Sequence, residues 1–199
     1  MKVPGVFATE WEPDGEPVGT AYLVPGRGYP AVAPLFFFTQ CALLQHGWAV
    51  RQVWWDPPEY VDDEQTEAWV REQVEAALPA AREGGRVLVV AKSLGTFAAP
   101  LVAERGYDAI WLTPLLDIPW LVAAIAANTG RQLVMGGVSD FAWDVDVARS
   151  LGDRGCDVVE LPDADHAMMR PGDVVRGVEL HVEAIRAVDQ WLRGFADPS

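Results

Sequence analysis

Short apolar runs alternate with longer amphipathic segments along most of the chain. Short runs bounded by turn residues predict strands, and six are found: Ala21–Val24, Trp48–Trp54, Val87–Ala91, Ala109–Leu112, Leu133–Met135 and Asp157–Leu161. Apolar residues at three-to-four spacing predict helices, in these segments: Pro34–His46, Asp62–Arg82, Leu94–Arg105, Ala142–Leu151 and Val174–Phe195. Residues 1–9 are a candidate antiparallel edge strand.

The order of these elements predicts an α/β protein, a three-layer αβα sandwich around a mostly parallel sheet. Val87–Ala91 is apolar throughout, as expected for a central strand buried on both faces. A chain of 199 residues is most simply one domain, spanning 1–199. Ligands of such sheets bind beyond the carboxyl ends of the strands, so candidate chemistry is sought just after each strand.

Composition narrows the choice of partners. The net charge of −14 disfavours nucleic acid and anionic membrane surfaces as partners. Residues 1–20 lack the apolar segment of a secretory signal, and no run is long enough to span a bilayer, so a cytoplasmic location is expected. Cys41 and Cys156 have no metal-ligand spacing, and we expect both to be buried free thiols with no metal site.

The hexapeptide AKSLGT, residues 91–96, places Ser93 directly after the central strand. A sharp strand-to-helix turn needs small flanking residues, and here Ala91 and Gly95 occupy the places of the glycines in the G-x-S-x-G elbow. Ser93 is therefore a candidate nucleophile. A serine that only caps the following helix is the simpler alternative.

A serine nucleophile needs a base and an orienting carboxylate. His166 follows the last predicted strand by five residues, whereas His46 ends a helix and His181 is expected on the exposed side of the last helix. Asp140 follows the strand before it and is the favoured carboxylate. Asp117, after Ala109–Leu112, stays open as the alternative.

An oxyanion hole would complete the site with two backbone N–H donors. Leu94, next after Ser93, supplies one candidate. The loop after the first parallel strand contains Gly26-Arg27-Gly28, where glycine lets the backbone approach a ligand closely. We expect the second donor at Arg27.

With these residues in place, the sequence resembles the α/β-hydrolase superfamily, in particular its compact, lidless branch of dienelactone-hydrolase-like and short esterase-like proteins. The segments that carry the resemblance are AYLVPGRGY, VLVVAKSLGT, LVMGGVSDFAWD and VELPDADHAMM. It implies Ser93 as nucleophile, His166 as base and Asp140 as its partner. Three departures loosen a subfamily assignment: Pro25-Gly26 replaces His-Gly, Ala91 replaces glycine, and Lys92 stands where histidine or another polar residue is frequent.

The resemblance implies a serine hydrolase that cleaves a small ester, thioester or amide through an acyl-enzyme, without a metal or an organic cofactor. Residues 113–130 leave no room for a large cap, so an open site is expected. The residues expected to line it are Gly28, Tyr29, Trp55, Trp120, Phe141 and Met168. These aromatic residues are equally consistent with a plain core.

Two other functions are compatible with the same residues. One is a catalytically silent binding or regulatory protein of the same fold, because fold and site residues alone do not establish turnover. The other is a dinucleotide-binding protein, since Gly26-x-Gly28-x-x-Ala31 formally fits the G-x-G-x-x-G/A pattern. Pro30 and Pro34 count against the second, because each removes an N–H donor that a pyrophosphate would use.

Overall fold

A computed structural model describes residues 9–60, 62–78 and 85–195. It contains one seven-stranded sheet in the order β1-β3-β2-β4-β5-β6-β7, parallel except for β1, which pairs antiparallel with β3 at the edge. The strands are β1 (Glu10–Trp11), β2 (Gly19–Val24), β3 (Trp48–Gln52), β4 (Arg86–Lys92), β5 (Asp108–Leu112), β6 (Gln132–Gly137) and β7 (Asp157–Leu161). The predicted α/β class and mostly parallel sheet are confirmed.

Six α-helices lie along the described chain: α1 (Pro34–Gln45), α2 (Asp63–Ala77), α3 (Ala99–Arg105), α4 (Pro119–Ala127), α5 (Val145–Asp153) and α6 (Val174–Arg193). Alternate residues of the strands enter two separate cores. Val87 and Val89 of β4 pack with residues of α2–α5, whereas Leu88 and Val90 pack with α1 and α6. The helices therefore cover both faces of the sheet, as a three-layer sandwich requires.

The segment after β4 departs from the predicted helix Leu94–Arg105. Ser93–Ala98 forms a 3-10 helix, and the α-helix begins only at Ala99. Gly95 explains part of this, because a Cβ there would lie 2.6 Å from the Val24 carbonyl oxygen. Gly106, with φ +62°, ends α3 as expected for a left-handed C-cap.

The sequence does not predict helix α4. Its segment, PWLVAAIAA, is apolar on all sides and therefore shows no helical period.

The ends of the other helices also differ from the predicted ones. Helix α5 begins three residues later than predicted because the Asp144 side chain caps it. Helix α2 is capped by Asp62, whose side chain accepts from the Gln65 amide. Residues 79–84, and residues 1–8 of the candidate edge strand, lie outside the described residues.

Two predicted burials are wrong. His181 is buried, and its Nδ1 lies 2.9 Å from the Gly177 carbonyl oxygen, whereas Val178 and Val182 on the same helix are exposed. Cys41 is exposed and only Cys156 is buried, both as free thiols. No helix within the described ranges is long and apolar enough to cross a membrane.

Candidate active site

Ser93 stands at the carboxyl end of β4 in a backbone conformation that is unfavourable for a side chain. Its φ is +52°, in the left-handed region that non-glycine residues seldom adopt. Such strain clusters at functional sites, where the surrounding structure holds it in place. The small neighbours make the turn feasible, since a Cβ at Gly95 would also lie 3.2 Å from the Cβ of Ala91. This geometry matches a nucleophile elbow better than a simple helix cap.

His166 lies in the loop after β7, between Ser93 and a carboxylate. Its Nε2 is 2.7 Å from the Ser93 Oγ. Its Nδ1 is 2.8 and 2.9 Å from the two carboxylate oxygens of Asp140. The three side chains therefore form one continuous hydrogen-bonded chain, although 73 residues separate His166 from Ser93 in sequence.

Asp140 is positioned by the exit from β6. Its carboxylate is fully buried and accepts a hydrogen bond from the Ala142 amide at 2.9 Å. The chain leaves β6 through Gly137, where a Cβ would lie 2.1 Å from the Ala164 carbonyl oxygen, so the loop after β6 packs directly on the loop that carries His166. Of the two carboxylates left open by the sequence, Asp140 contacts the imidazole, whereas Asp117 is exposed between β5 and α4.

The other two histidines have other partners. The Nε2 of His46 lies 2.8 Å from Asp189 on α6. His181 faces Tyr29, with 3.5 Å between its Nε2 and the phenolic oxygen. His166 is thus the histidine that contacts Ser93.

The loop after β2 lies against the elbow. A Cβ at Gly26 would be 3.3 Å from the Cβ of Ser93. The Gly26 amide donates to the Tyr29 carbonyl at 3.2 Å, so it is already used inside the loop. The Arg27 guanidinium donates to the carbonyl oxygens of Pro57 and Pro58, which fastens the loop to the segment after β3.

Beside this loop lies a depression of about 390 Å³, here named the Arg27–Leu94 depression. It is bordered by the loop after β2, the 3-10 helix and α2, through Arg27, Pro58, Gln65, Thr66, Ala68, Trp69, Glu72 and Leu94. It is open to solvent and adjoins the residue after Ser93.

The predicted pocket residues divide into two groups. Phe141 lies at the site, with its ring centroid 4.7 Å from that of His166 and 77% of its surface exposed. Gly28 is exposed in the loop after β2, and Trp55 lines a small pocket of about 220 Å³ next to that loop.

The other three predicted pocket residues contact other parts of the protein. Met168 is fully buried in the core beneath α1 and α6, so the prediction that it lines an open site is wrong. Trp120 packs on Phe97 and donates to Asp63 on α2, in a separate depression. Tyr29 is half-buried, and its hydroxyl accepts from the Leu35 amide.

Lys92 is the residue of this site whose part the sequence did not reveal. Its side chain is 1% exposed, and its Nζ donates to the Thr113 Oγ1 at 2.8 Å and to the His166 carbonyl oxygen at 2.7 Å. The Nζ also lies 4.6 Å from the centre of the Tyr29 ring. Burial lowers the pKa of Lys92 to about 8, and the nearby carboxylates of Asp140 and Asp165 oppose that shift. The sequence signal was a lone lysine ending an otherwise apolar strand.

Within the described ranges, no group of three or more His, Cys, Asp or Glu side chains is arranged to hold a metal ion. No protein-family model and no curated protein sequence matches this chain.

Solved structures do match it over most of their length. Est1E from Butyrivibrio proteoclasticus gives a TM-score of 0.71 at 13% identity, over 94% of this chain and 93% of that one. The esterase domain of a Rhodothermus marinus protein gives 0.60 at 13% identity, over 92% and 91%. A serine hydrolase without lid from Xanthomonas campestris gives 0.56 at 16% identity, over 92% and 87%.

This chain therefore has the α/β-hydrolase fold, as its resemblance to that superfamily implied. The described residues build no large cap over the carboxyl edge of the sheet. In this fold, function is determined by the residues at that edge rather than by the fold itself.

Proposed function

We propose that the protein is a serine hydrolase that cleaves a small ester, thioester or amide through an acyl-enzyme, with Ser93, His166 and Asp140 as its catalytic triad. The observation that carries the proposal is the hydrogen-bonded chain from Ser93 Oγ through His166 to the buried Asp140 carboxylate. The similarity to hydrolase and esterase structures supports the same reaction class.

In the proposed reaction, His166 Nε2 accepts the Ser93 proton while the Oγ attacks the substrate carbonyl carbon. Asp140 keeps the imidazole in the required orientation and stabilises its cation. His166 then returns the proton to the leaving alcohol, thiol or amine, and an acyl-Ser93 ester remains. Water, activated by the same imidazole, attacks that ester and releases the acid.

The developing oxyanion would be held by backbone amides of Leu94 and Arg27. Leu94 lies in the first turn of the 3-10 helix, where amides have no partner within the helix. Arg27 is favoured over Gly26 because the Gly26 amide already donates to Tyr29. The Arg27–Leu94 depression adjoins both donors and is the candidate pocket for one side of the substrate.

The test is covalent labelling with a fluorophosphonate, a probe that reacts with activated serines. We expect one adduct on Ser93 in the wild type, and none in Ser93→Ala or His166→Ala. Ser150→Ala, which removes an exposed serine of α5, is the matched control and should label like the wild type. A panel of acetyl and butyryl esters, thioesters and anilides then separates the three substrate classes.

The binding-protein alternative predicts a different result. A folded wild type without any adduct on Ser93 would contradict the hydrolase proposal and favour a silent relative of the fold. The dinucleotide alternative has less support, because α1 begins only at Pro34 and the glycine loop packs on Ser93. Calorimetry with NAD would return no heat of binding if the hydrolase proposal holds.

A further inference from the structure

Lys92 joins three parts of the carboxyl edge that are distant in sequence. It ends β4, its Nζ donates to Thr113 just after β5, and the same atom donates to the backbone of His166 after β7. The His166 loop is also held by its contact with the loop after β6 and by the burial of Met168 in the core. The Asp165 carboxylate accepts from the amides of Ala167 and Met169, and the Ala164 carbonyl accepts from the Ser139 amide.

A lysine at this place is costly for the fold. Taking an ammonium group out of water is unfavourable, and its partners offset that penalty only in part. An apolar side chain of similar length would fill the same space without that penalty. A buried cation that nonetheless stands next to a candidate nucleophile points to a role at the site.

The groups around Lys92 come from every neighbouring loop. The carboxylates of Asp140 and Asp165 act on the ammonium electrostatically, the Tyr29 ring covers it, and the His166 carbonyl accepts from it. His181, from α6, faces the hydroxyl of Tyr29 rather than the ammonium. The positive charge of the ammonium therefore attracts two carboxylates, while its hydrogen bond fixes the His166 carbonyl oxygen.

We propose that Lys92 is a positioning residue: it fastens the His166 backbone to the ends of β4 and β5, so that the imidazole reaches Ser93 and Asp140 together. Its catalytic consequence rests on the proposed hydrolase function. His166 is held at two points: Asp140 contacts the Nδ1 of its imidazole, and Lys92 donates to its backbone carbonyl oxygen. Loss of the Lys92 bond would release the backbone and allow the ring to move away from Ser93 and Asp140.

The test compares Lys92→Met with Gln132→Met. Methionine is unbranched and flexible like lysine, lacks the terminal nitrogen and donates no hydrogen bond. Gln132 is a matched control, because it is also buried and hydrogen-bonded, but it lies at the start of β6, at the opposite edge of the sheet. Both variants lose a buried polar group, and only one touches the His166 loop.

Three readouts are taken: kcat and KM for 4-nitrophenyl acetate between pH 6 and 10, and hydrogen exchange of residues 162–170. We expect Lys92→Met to lower kcat by about 10- to 100-fold, with KM within about threefold. Exchange in the loop should accelerate in Lys92→Met and stay unchanged in Gln132→Met.

The outcomes separate the two proposals. A kcat for Lys92→Met close to that of the wild type, or unchanged loop exchange, would each overturn the positioning role. Equal kcat losses in both variants would do the same, since they would reflect general loosening. If the wild type neither hydrolyses esters nor labels, the hydrolase proposal fails, while the exchange comparison still decides whether Lys92 holds the loop.

Discussion

The carboxyl edge of the sheet and the groove between α1 and α6 differ in how their side chains are held. The groove is the larger concavity, about 490 Å³, and it is mostly apolar, with Phe38, Val178 and Val182 exposed along it. At the carboxyl edge, by contrast, four loops converge and their polar groups bond to one another. The candidate active site is thus marked by converging hydrogen bonds, and the size of a cavity is a poor guide to it here.

The largest effect on catalysis is expected when the carboxylate that contacts His166 is removed. Asp140→Asn should lower kcat for an acetyl ester by about 10⁴-fold, because an amide cannot stabilise the imidazolium and favours the wrong tautomer. Asp117→Asn, a carboxylate after the neighbouring strand, should leave kcat within about twofold. Equal effects from both would mean that the hydrogen bond to His166 carries no catalytic weight.

A second test concerns the cost of the buried ammonium. Because burial lowers the Lys92 pKa from 10.5 to about 8, the unfolded chain keeps a proton between these values that the folded protein has released. Stability therefore rises with pH through this window. Urea unfolding should show the wild type gaining about 3 kcal/mol relative to Lys92→Met between pH 7 and pH 10.5.

The control for this titration is Gln132→Met, whose stability difference from the wild type should stay constant over the same range. Tyrosines also titrate there, but they are common to all three proteins, so the difference isolates Lys92. A wild type that gains nothing relative to Lys92→Met would show that the ammonium is not desolvated as the structure indicates.

The contact between the loops after β6 and β7 gives a third test. In Gly137→Ala the new Cβ would lie 2.1 Å from the Ala164 carbonyl, so backbone must move. We expect a loss of about 2 kcal/mol in the free energy of unfolding. Gly152→Ala, inside α5 with its nearest contact at 3.5 Å, should instead gain up to about 1 kcal/mol. Chemical denaturation measures both.

The smallest effect is expected in the groove. Val182→Ser replaces an exposed valine of α6 and should change the free energy of unfolding by no more than about 0.5 kcal/mol. The rate of ester hydrolysis should stay within about twofold of the wild type. A tenfold loss of rate would show that the two regions are coupled, and the contrast between them would no longer hold.

The same contrast explains what could be predicted from the sequence. Continuous apolar strands predicted the mostly parallel sheet. The positions of Ser93, Asp140 and His166 after three of these strands indicated which loops meet, because parallel strands share a carboxyl edge. Burial along α6 was harder. The sequence predicted an exposed His181, whereas the structure buries Leu180 and His181 and exposes Val178 and Val182.

Other features depended on contacts that no local pattern contains. Lys92 finds partners on two loops far away in sequence, and Met168 turns into the core from a left-handed backbone position, with φ +61°. Helix α4 is uniformly apolar, so it lacked the polar face that would have marked it.

Because Lys92 is buried, its chemical modification can report local unfolding of the protein. Its only lysines are Lys2 and Lys92. In the native state an amine-reactive reagent cannot reach Lys92. The rate at which that side chain is acylated therefore reports local unfolding at the end of β4. Mass spectrometry of the resulting peptide would time these excursions with the natural sequence, and with no engineered label.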